Sequence, residues 1–268
     1  MKIVSLFNVK GGVGKTTLAY LISLNLSKKD KKVLILDGDT QANFTQFIYK
    51  IVHNKKTILD AFKDDISAEE LIIKSPLKDY PNIDLIPSDL SLSVLSEYLT
   101  IKTSREKVAF KWFKKNISTL KNYDYILIDL SPSYDLIARN FLFISDSIIT
   151  PLGFQDIASI RGCELFYQKY NEDLEEMGEI NEAKRAIVIN SYTSRKLTSG
   201  DVFMDYLERF DSIKKDLTEV KISESTIVKN CVLNKLSIDD YCRKIKKAHK
   251  VREELNDLIE ELINKEVL

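Results

Sequence analysis

Cysteine is nearly absent from this chain. Cys163, Cys231 and Cys242 are widely scattered and odd in number, so they supply neither a disulfide framework nor the close spacing of a zinc or iron–sulfur site. This usage suits a reducing cytoplasm. Two histidines are too few and too isolated to build a metal centre. No apolar run approaches the roughly 20 residues that cross a bilayer. The apolar run at the amino terminus is short and is not expected to act as a signal peptide. An excess of either charge is also missing: Lys+Arg and Asp+Glu both number 40, for a formal net charge of zero. A polyanionic partner would therefore have to be met by a local patch, because no global field gathers it. Low-complexity linkers and internal repeats are lacking too. Glycine is scarce, eight in 268 residues, yet three of the eight fall at positions 11, 12 and 14.

The remaining sequence is rich in short apolar runs. Residues 3–7, 33–36, 125–130, 147–150 and 186–189 are continuously rather than alternately hydrophobic, as strands buried on both faces of a parallel sheet are. Residues 82–87 make a further, more exposed strand candidate. Helical patterns lie between these runs, at 16–27, 104–116, 136–144, 157–176 and 200–210. Strands alternating with helices predict βαβ units, and hence an α/β fold with a doubly wound, mostly parallel sheet flanked by helices. Residues 49–81 read as an elaboration with short helices. The whole chain, 1–268, reads as a single domain with a helical C-terminal portion at about 223–268.

The run Lys10-Gly11-Gly12-Val13-Gly14-Lys15-Thr16-Thr17 follows the first apolar run and precedes the first helical pattern. A strand, a glycine loop and a helix in that order form a phosphate cradle. The glycines let backbone N–H groups turn inward, and the helix directs its positive dipole end at the same point. Lys15 supplies a point charge and Thr16 a hydroxyl for Mg²⁺. The general pattern G-x-x-x-x-G-K-[ST] would put its first glycine at position 9, where this chain has Val9. It has instead an additional lysine, Lys10, just before Gly11. A solvated loop lysine is the plain alternative for Lys10, and an accidental glycine-rich turn the plain alternative for the octapeptide.

Two more strand ends carry acids. The second apolar run ends in Asp37-Gly38-Asp39-Thr40-Gln41, and the run at 125–130 contains Asp129 and is followed by Ser131-Pro132-Ser133. In a parallel sheet these ends lie at the same edge as the phosphate loop. Asp129 can hold Mg²⁺ through water, since that ion retains several waters and needs only one or two carboxylates. A polar turn or an ordinary strand-to-loop transition is the simpler account of each segment taken alone.

The loop resembles the deviant Walker A motif, K-G-G-x-x-K-[ST], of the ParA/MinD family of ATPases, and the ordered matches cover roughly residues 1–210. The family has D-x-D-P-Q where this chain has Asp37 to Gln41, with Thr40 for the proline. It has P-P-S where this chain has Ser131-Pro132-Ser133, with Ser131 for the first proline. The resemblance implies that Lys10 reaches across a dimer interface to the partner's nucleotide, that Asp39 orients the attacking water, that Asp37 stands near the metal, and that Asn190 reads the adenine. It implies ATP and Mg²⁺ as ligands, weak ATP hydrolysis stimulated by a partner, and an ATP-dependent homodimer. The segment 82–93 and the strand before Pro151 also resemble family segments.

Within the family the sequence narrows the function. Cluster-ligating cysteines and C-x-x-C are missing, which argues against the iron–sulfur branches. Residues 251–268 are amphipathic but acidic, so anionic lipid would repel them, and their Leu/Ile face is expected to pack on the domain instead. Just before them lie Lys235, Arg243, Lys244, Lys246, Lys247, Lys250 and Arg252 against only Asp239 and Asp240. On one helical segment these cations suit sequence-independent contact with DNA phosphates; a solvated lysine-rich face is the alternative. The loop begins so early that an N-terminal helix-turn-helix is not expected. The resemblance is closest to ParA/Soj-type partition ATPases, implying non-specific DNA and a ParB-like centromere-binding protein as partners, no membrane, and a cytoplasmic, nucleoid-associated location. A positioning ATPase for a protein cargo, and a small-molecule ligase or kinase of the same superfamily, are the other readings.

Overall fold

The computed structural model describes residues 1–49, 55–178, 183–195, 198–246 and 249–268. These residues hold the strands β1 (Lys2–Leu6), β2 (Val33–Gly38), β3 (Ile83–Ile86), β4 (Tyr125–Leu130), β5 (Ser147–Gly153), β6 (Lys184–Tyr192) and β7 (Ile222–Ser223). They form one sheet in the order β3-β2-β4-β1-β5-β6-β7, and every neighbouring pair is parallel.

Parallel neighbours require crossovers, and helices supply them. Helix α1 (Lys15–Lys28) follows β1; α2 (Asn43–Ile48), α3 (Ile58–Lys63) and α4 (Ala68–Leu71) lie between β2 and β3. Next come α5 (Ser93–Thr100), α6 (Val108–Lys115) and α7 (Ile117–Leu120), then α8 (Leu136–Leu142) after β4 and α9 (Ile157–Met177) after β5. Helices α10 (Thr198–Leu207) and α11 (Asp211–Lys214) lead to β7, and α12 (Thr226–Asn234), α13 (Ile238–Lys244) and α14 (Lys250–Asn264) close the chain.

The continuous apolar runs are explained by two cores, one on each face of the sheet. Ile126, Ile128 and Leu130 point into one, with Phe7, Phe141, Phe166 and Trp112. Leu127, Val4, Leu6, Val33 and Ile35 point into the other, against α1 and α14. Each fully buried Leu or Ile contributes about 1.5–3 kcal/mol, so strands with apolar residues at every position hold both layers. Helix α14 buries Val251, Leu255, Leu258, Ile259 and Leu262, as its amphipathic pattern predicts.

Three local expectations are corrected. Strand β3 is buried at all four positions rather than exposed. Its outer edge is covered by Ile73, whose N–H donates to the Leu85 carbonyl at 2.8 Å and whose carbonyl accepts from the Leu85 N–H at 2.9 Å. The helix expected at 104–116 starts late. Ser104 takes a left-handed conformation, φ 57°, ahead of a 3-10 turn at Arg105–Lys107 and then α6. The basic residues from 235 to 252 do not share one helix. Lys235 ends α12 in a left-handed conformation, Ser237 starts α13 by accepting from the Asp240 N–H, and His249 starts α14 by accepting from the Val251 N–H.

Candidate functional site

Strand β1 delivers the chain to the C-terminal edge of the sheet, and residues 8–14 turn there into α1. Gly12 (φ +79°) and Gly14 (φ +94°) have backbones that favour glycine. Gly14 occupies the α1 N-cap without a side-chain cap. The first turn of the helix therefore presents unsatisfied N–H groups, an anion site made of backbone. A β-carbon on Gly14 would lie 2.1 Å from Asn190 Nδ2, and one on Gly162 in α9 would lie 2.7 Å from Val9 Cγ2. The loop is thus gripped from both sides.

Asn8, which sequence reasoning missed, is the strut beneath the loop. Its buried side chain donates to the Pro151 carbonyl at 3.0 Å and the Ser159 carbonyl at 3.2 Å, and accepts from the Lys10 N–H at 2.9 Å. An asparagine after a strand gives no signal of this role, because its partners lie about 150 residues away.

Lys15 folds back across the loop. Its Nζ donates to the carbonyls of Asn8 at 3.1 Å and Lys10 at 3.2 Å. Burial pushes its pKa down, while the carboxylates of Asp129 and Asp39 pull it up. The ammonium is therefore already placed beside the loop. Lys10 is exposed at the mouth, as are Gly11 and Gly12, whereas Val13 is buried and Thr16 and Thr17 are half-buried.

Three acids lie at the neighbouring strand ends. Asp37 of β2 and Asp129 of β4 are direct partners in the parallel register. Asp129 is fully buried, and among the described residues neither of its oxygens has a hydrogen-bond partner of normal geometry. Burial raises its pKa well above the carboxylate range, and Asp37 adds to this; the Thr16 hydroxyl and Lys15 oppose it. A buried carboxylate without a hydrogen-bond partner of normal geometry, near enough to the Thr16 hydroxyl and the Lys15 ammonium to be stabilised by both, fits a hydrated cation. Among the described residues no group of three or more His, Cys, Asp or Glu side chains forms a complete metal cage. A cation here would take most of its ligands from water and phosphate, as Mg²⁺ does.

Asp37 is engaged differently. Its Oδ2 accepts from both the backbone N–H and the hydroxyl of Thr45 at 2.7 Å, and its Oδ1 accepts from the Asp39 N–H at 3.1 Å. It secures the first turn of α2. Burial raises its pKa to about 6, against the hydrogen bonds from Thr45. Asp39 sits one turn further out. Its Oδ1 accepts from the Gln41 N–H at 3.0 Å and the Ser131 hydroxyl at 2.8 Å, and its Oδ2 has a longer contact with Asn43 Nδ2 at 3.4 Å.

Asn190, near the end of β6, donates to the Val13 carbonyl at 2.9 Å. Beside it opens a cavity of about 630 Å³ lined by Gly12, Gly14, Asn190, Glu224, Val228 and Leu233 among others. That volume lies within the range of small-molecule sites, and the cavity adjoins the phosphate loop at Gly12 and Gly14. The loop, Lys15, Thr16, Asp37, Asp39, Asp129 and Asn190 are therefore brought together.

The basic residues are not gathered so tightly. Lys235, Arg243, Lys244, Lys246, Lys250 and Arg252 are exposed, while Lys247 lies outside the described residues. Several are matched by acids: Arg243 with Asp240 at 3.6 Å, Lys250 with Glu254 at 2.9 Å, and Arg252 with Asp239. Lys244 donates to Asn234 Oδ1 at 3.1 Å. Among the described residues no helix is long and apolar enough to cross a membrane.

A family model described as an AAA domain matches residues 1–181. An uncharacterized protein of Mycobacterium tuberculosis is 30% identical over 221 residues, covering 80% of this chain and 66% of that protein. The sporulation initiation inhibitor protein Soj of Bacillus subtilis is 33% identical over 153 residues, covering 56% of this chain and 58% of Soj. This chain therefore spans about two thirds or less of the length of these two relatives. A crystal structure of a plasmid partition protein of Borrelia burgdorferi bound to AMPPNP superposes with a TM-score of 0.71 at 26% identity, covering 96% of this chain and 98% of that one.

Proposed function

The chain belongs to the ParA/MinD family of P-loop ATPases, and from that membership we propose that it is a ParA-type partition ATPase. Two protomers close face to face over two ATP molecules. The closed dimer holds DNA without sequence preference, and hydrolysis stimulated by a ParB-like centromere-binding protein releases it.

One observation carries the nucleotide chemistry. A buried, unpartnered Asp129 lies beside Thr16 and Lys15, under a loop whose helix start is uncapped. In this reading the first-turn N–H groups and Lys15 hold the phosphates, while Thr16 and Asp129 hold the Mg²⁺ shell. Bound Mg²⁺ supplies charge neutralisation on the phosphates. Asp39 orients the attacking water, Asp37 fixes the turn that carries Asp39, and Asn190 supports the base. Lys10, exposed at the mouth, is free to reach a second protomer and stabilise charge there in the transition state.

The test is size measurement with ATP and with ADP, together with ATP turnover. Lys15→Ala should abolish ATP binding. Lys10→Ala should keep binding and lose ATP-dependent dimerisation; normal dimerisation and turnover in that variant refute the role across the interface.

The paired cations at the C-terminal end favour a second reading, a positioning ATPase whose cargo is a protein. Three of the six described basic residues already face an acid, which lowers the charge free to meet phosphate. ATP-dependent retention on non-specific DNA distinguishes the two: retention supports partition, and its absence in a dimer that turns over ATP supports a protein cargo.

A further inference from the structure

Ser131 and Thr40 stand where the resembled motifs carry proline, and in this chain they touch each other. The Thr40 N–H donates to Ser131 Oγ at 3.1 Å, and the Ser131 hydroxyl donates its single proton to Asp39 Oδ1 at 2.8 Å. Proline at position 40 would have no N–H to give, and proline at 131 no hydroxyl to receive or pass it on. One hydroxyl therefore joins the turn after β2 to the turn after β4, directly above the Asp37–Asp129 pair.

The bond count at Asp39 gives this contact a consequence. Oδ1 is occupied twice, by the Gln41 N–H at 3.0 Å and by Ser131. Among the described residues Oδ2 has only the 3.4 Å contact from Asn43, at the outer limit of a hydrogen bond. The carboxylate is thus fixed in rotation, with one oxygen consumed and the other left able to accept from a water molecule. On its far side the turn is tied to the end of β3. The Ser88 hydroxyl donates to the Asp39 carbonyl at 3.0 Å, and the Ser88 N–H donates to Thr45 Oγ1 at 3.0 Å. Ser88 holds the backbone of Asp39; among the described residues only Ser131 and Asn43 hold its carboxylate from another side chain.

We propose that Ser131 is a positioning residue for ATP hydrolysis, clasping the two turns through Thr40 and presenting Asp39 Oδ2 to the attacking water. The proposal rests on the reading of Asp39 as the water-orienting acid. It predicts a loss confined to the chemical step. A hydrogen bond to a charged group is worth enough to change a rate about 10- to 100-fold, so Ser131→Ala should lower kcat by that factor. The KM for ATP and the affinity for a fluorescent ATP analogue should stay within about two-fold, because no phosphate contact is altered. Ser131→Thr retains the hydroxyl and should recover most of the lost kcat.

Turnover and analogue binding are measured on the full chain for Ser131→Ala, Ser131→Thr and Asp39→Ala. Normal turnover in Asp39→Ala overturns the reading of Asp39, and the clasp with it. Loss of turnover in Asp39→Ala with wild-type kcat in Ser131→Ala overturns the clasp alone. Weakened analogue binding in Ser131→Ala, or failure of Ser131→Thr to recover kcat, makes Ser131 a structural residue and also overturns it. A kcat-only loss restored by threonine supports it.

Discussion

Asp37→Asn should make the nucleotide-free protein more stable, relative to wild type, as the pH rises. In the folded protein burial holds the Asp37 carboxyl at about 6 instead of its ordinary 3.8. Because the folded state prefers the protonated form, this group's contribution is intact below 3.8 and is lost as the pH climbs through about 6. Keeping the carboxylate ionised in the fold at neutral pH costs about 3 kcal/mol relative to the unfolded chain. Asparagine never bears that charge. Its amide fits Thr45 with its oxygen but turns its NH₂ toward the Asp39 N–H, a fixed penalty of about 1–3 kcal/mol that does not vary with pH. Asp240 and Glu254 are common to both proteins and largely cancel in the difference, whereas Asp129, which the Asp37 charge helps to raise, ionises more readily in the variant and adds to the trend in the same direction. The mutant-minus-wild-type difference should therefore rise by about 2.5 kcal/mol between about pH 4 and pH 7.5, or about 5–10 °C in Tm for a chain near this size. Thermal melts with chelator and without nucleotide measure it at the two pH values. A difference that stays flat, or falls toward neutral pH, refutes the claim that Asp37 is ionised at a cost.

Other outcomes follow from particular contacts. Gly14→Ala should cost about 2–4 kcal/mol, from a left-handed backbone and a β-carbon 2.1 Å from Asn190 Nδ2. In the double variant with Asn190→Ala the two costs should fall short of additive in thermal melts, because the clash partner is gone. Tyr123→Phe removes a hydroxyl that donates to Asp84 at 2.6 Å and accepts from Lys74 at 2.8 Å; urea midpoints should report a loss of about 1–3 kcal/mol. If the C-terminal cations contact DNA phosphates, replacing Lys235, Lys244 and Lys246 by alanine should flatten the salt dependence of DNA binding by about 0.9 per lost contact; an unchanged slope excludes these three.

The phosphate loop and the strands beside it were legible because their signals are local. Lys10 to Thr17 carry their own backbone requirements, and β1, β2 and β4 are apolar at consecutive positions because both faces are covered. Helices α8 and α9 start at the expected residues for the same reason, helped by Asp135 and Asp156 as caps. What escaped the sequence depends on distant partners. The burial of β3 comes from Ile73 lying along its edge, and the role of Asn8 from Pro151 and Ser159. The Ser131–Asp39 contact joins residues 92 positions apart, so no local signal links the two departures from proline. The dispersal of the basic residues follows from helix starts at Ser237 and His249, of which the histidine is an uncommon one.

The central place of β1 has a consequence for synthesis of the protein. Although β1 is made before the other strands, it is flanked by β4, which begins at Tyr125, and by β5, which ends at Gly153. Until those strands leave the ribosome β1 has neither of its neighbours to join. At roughly 5–20 residues per second it waits about 7–30 s during translation. Asp129, one of the two acids that act on Lys15, likewise arrives only with β4.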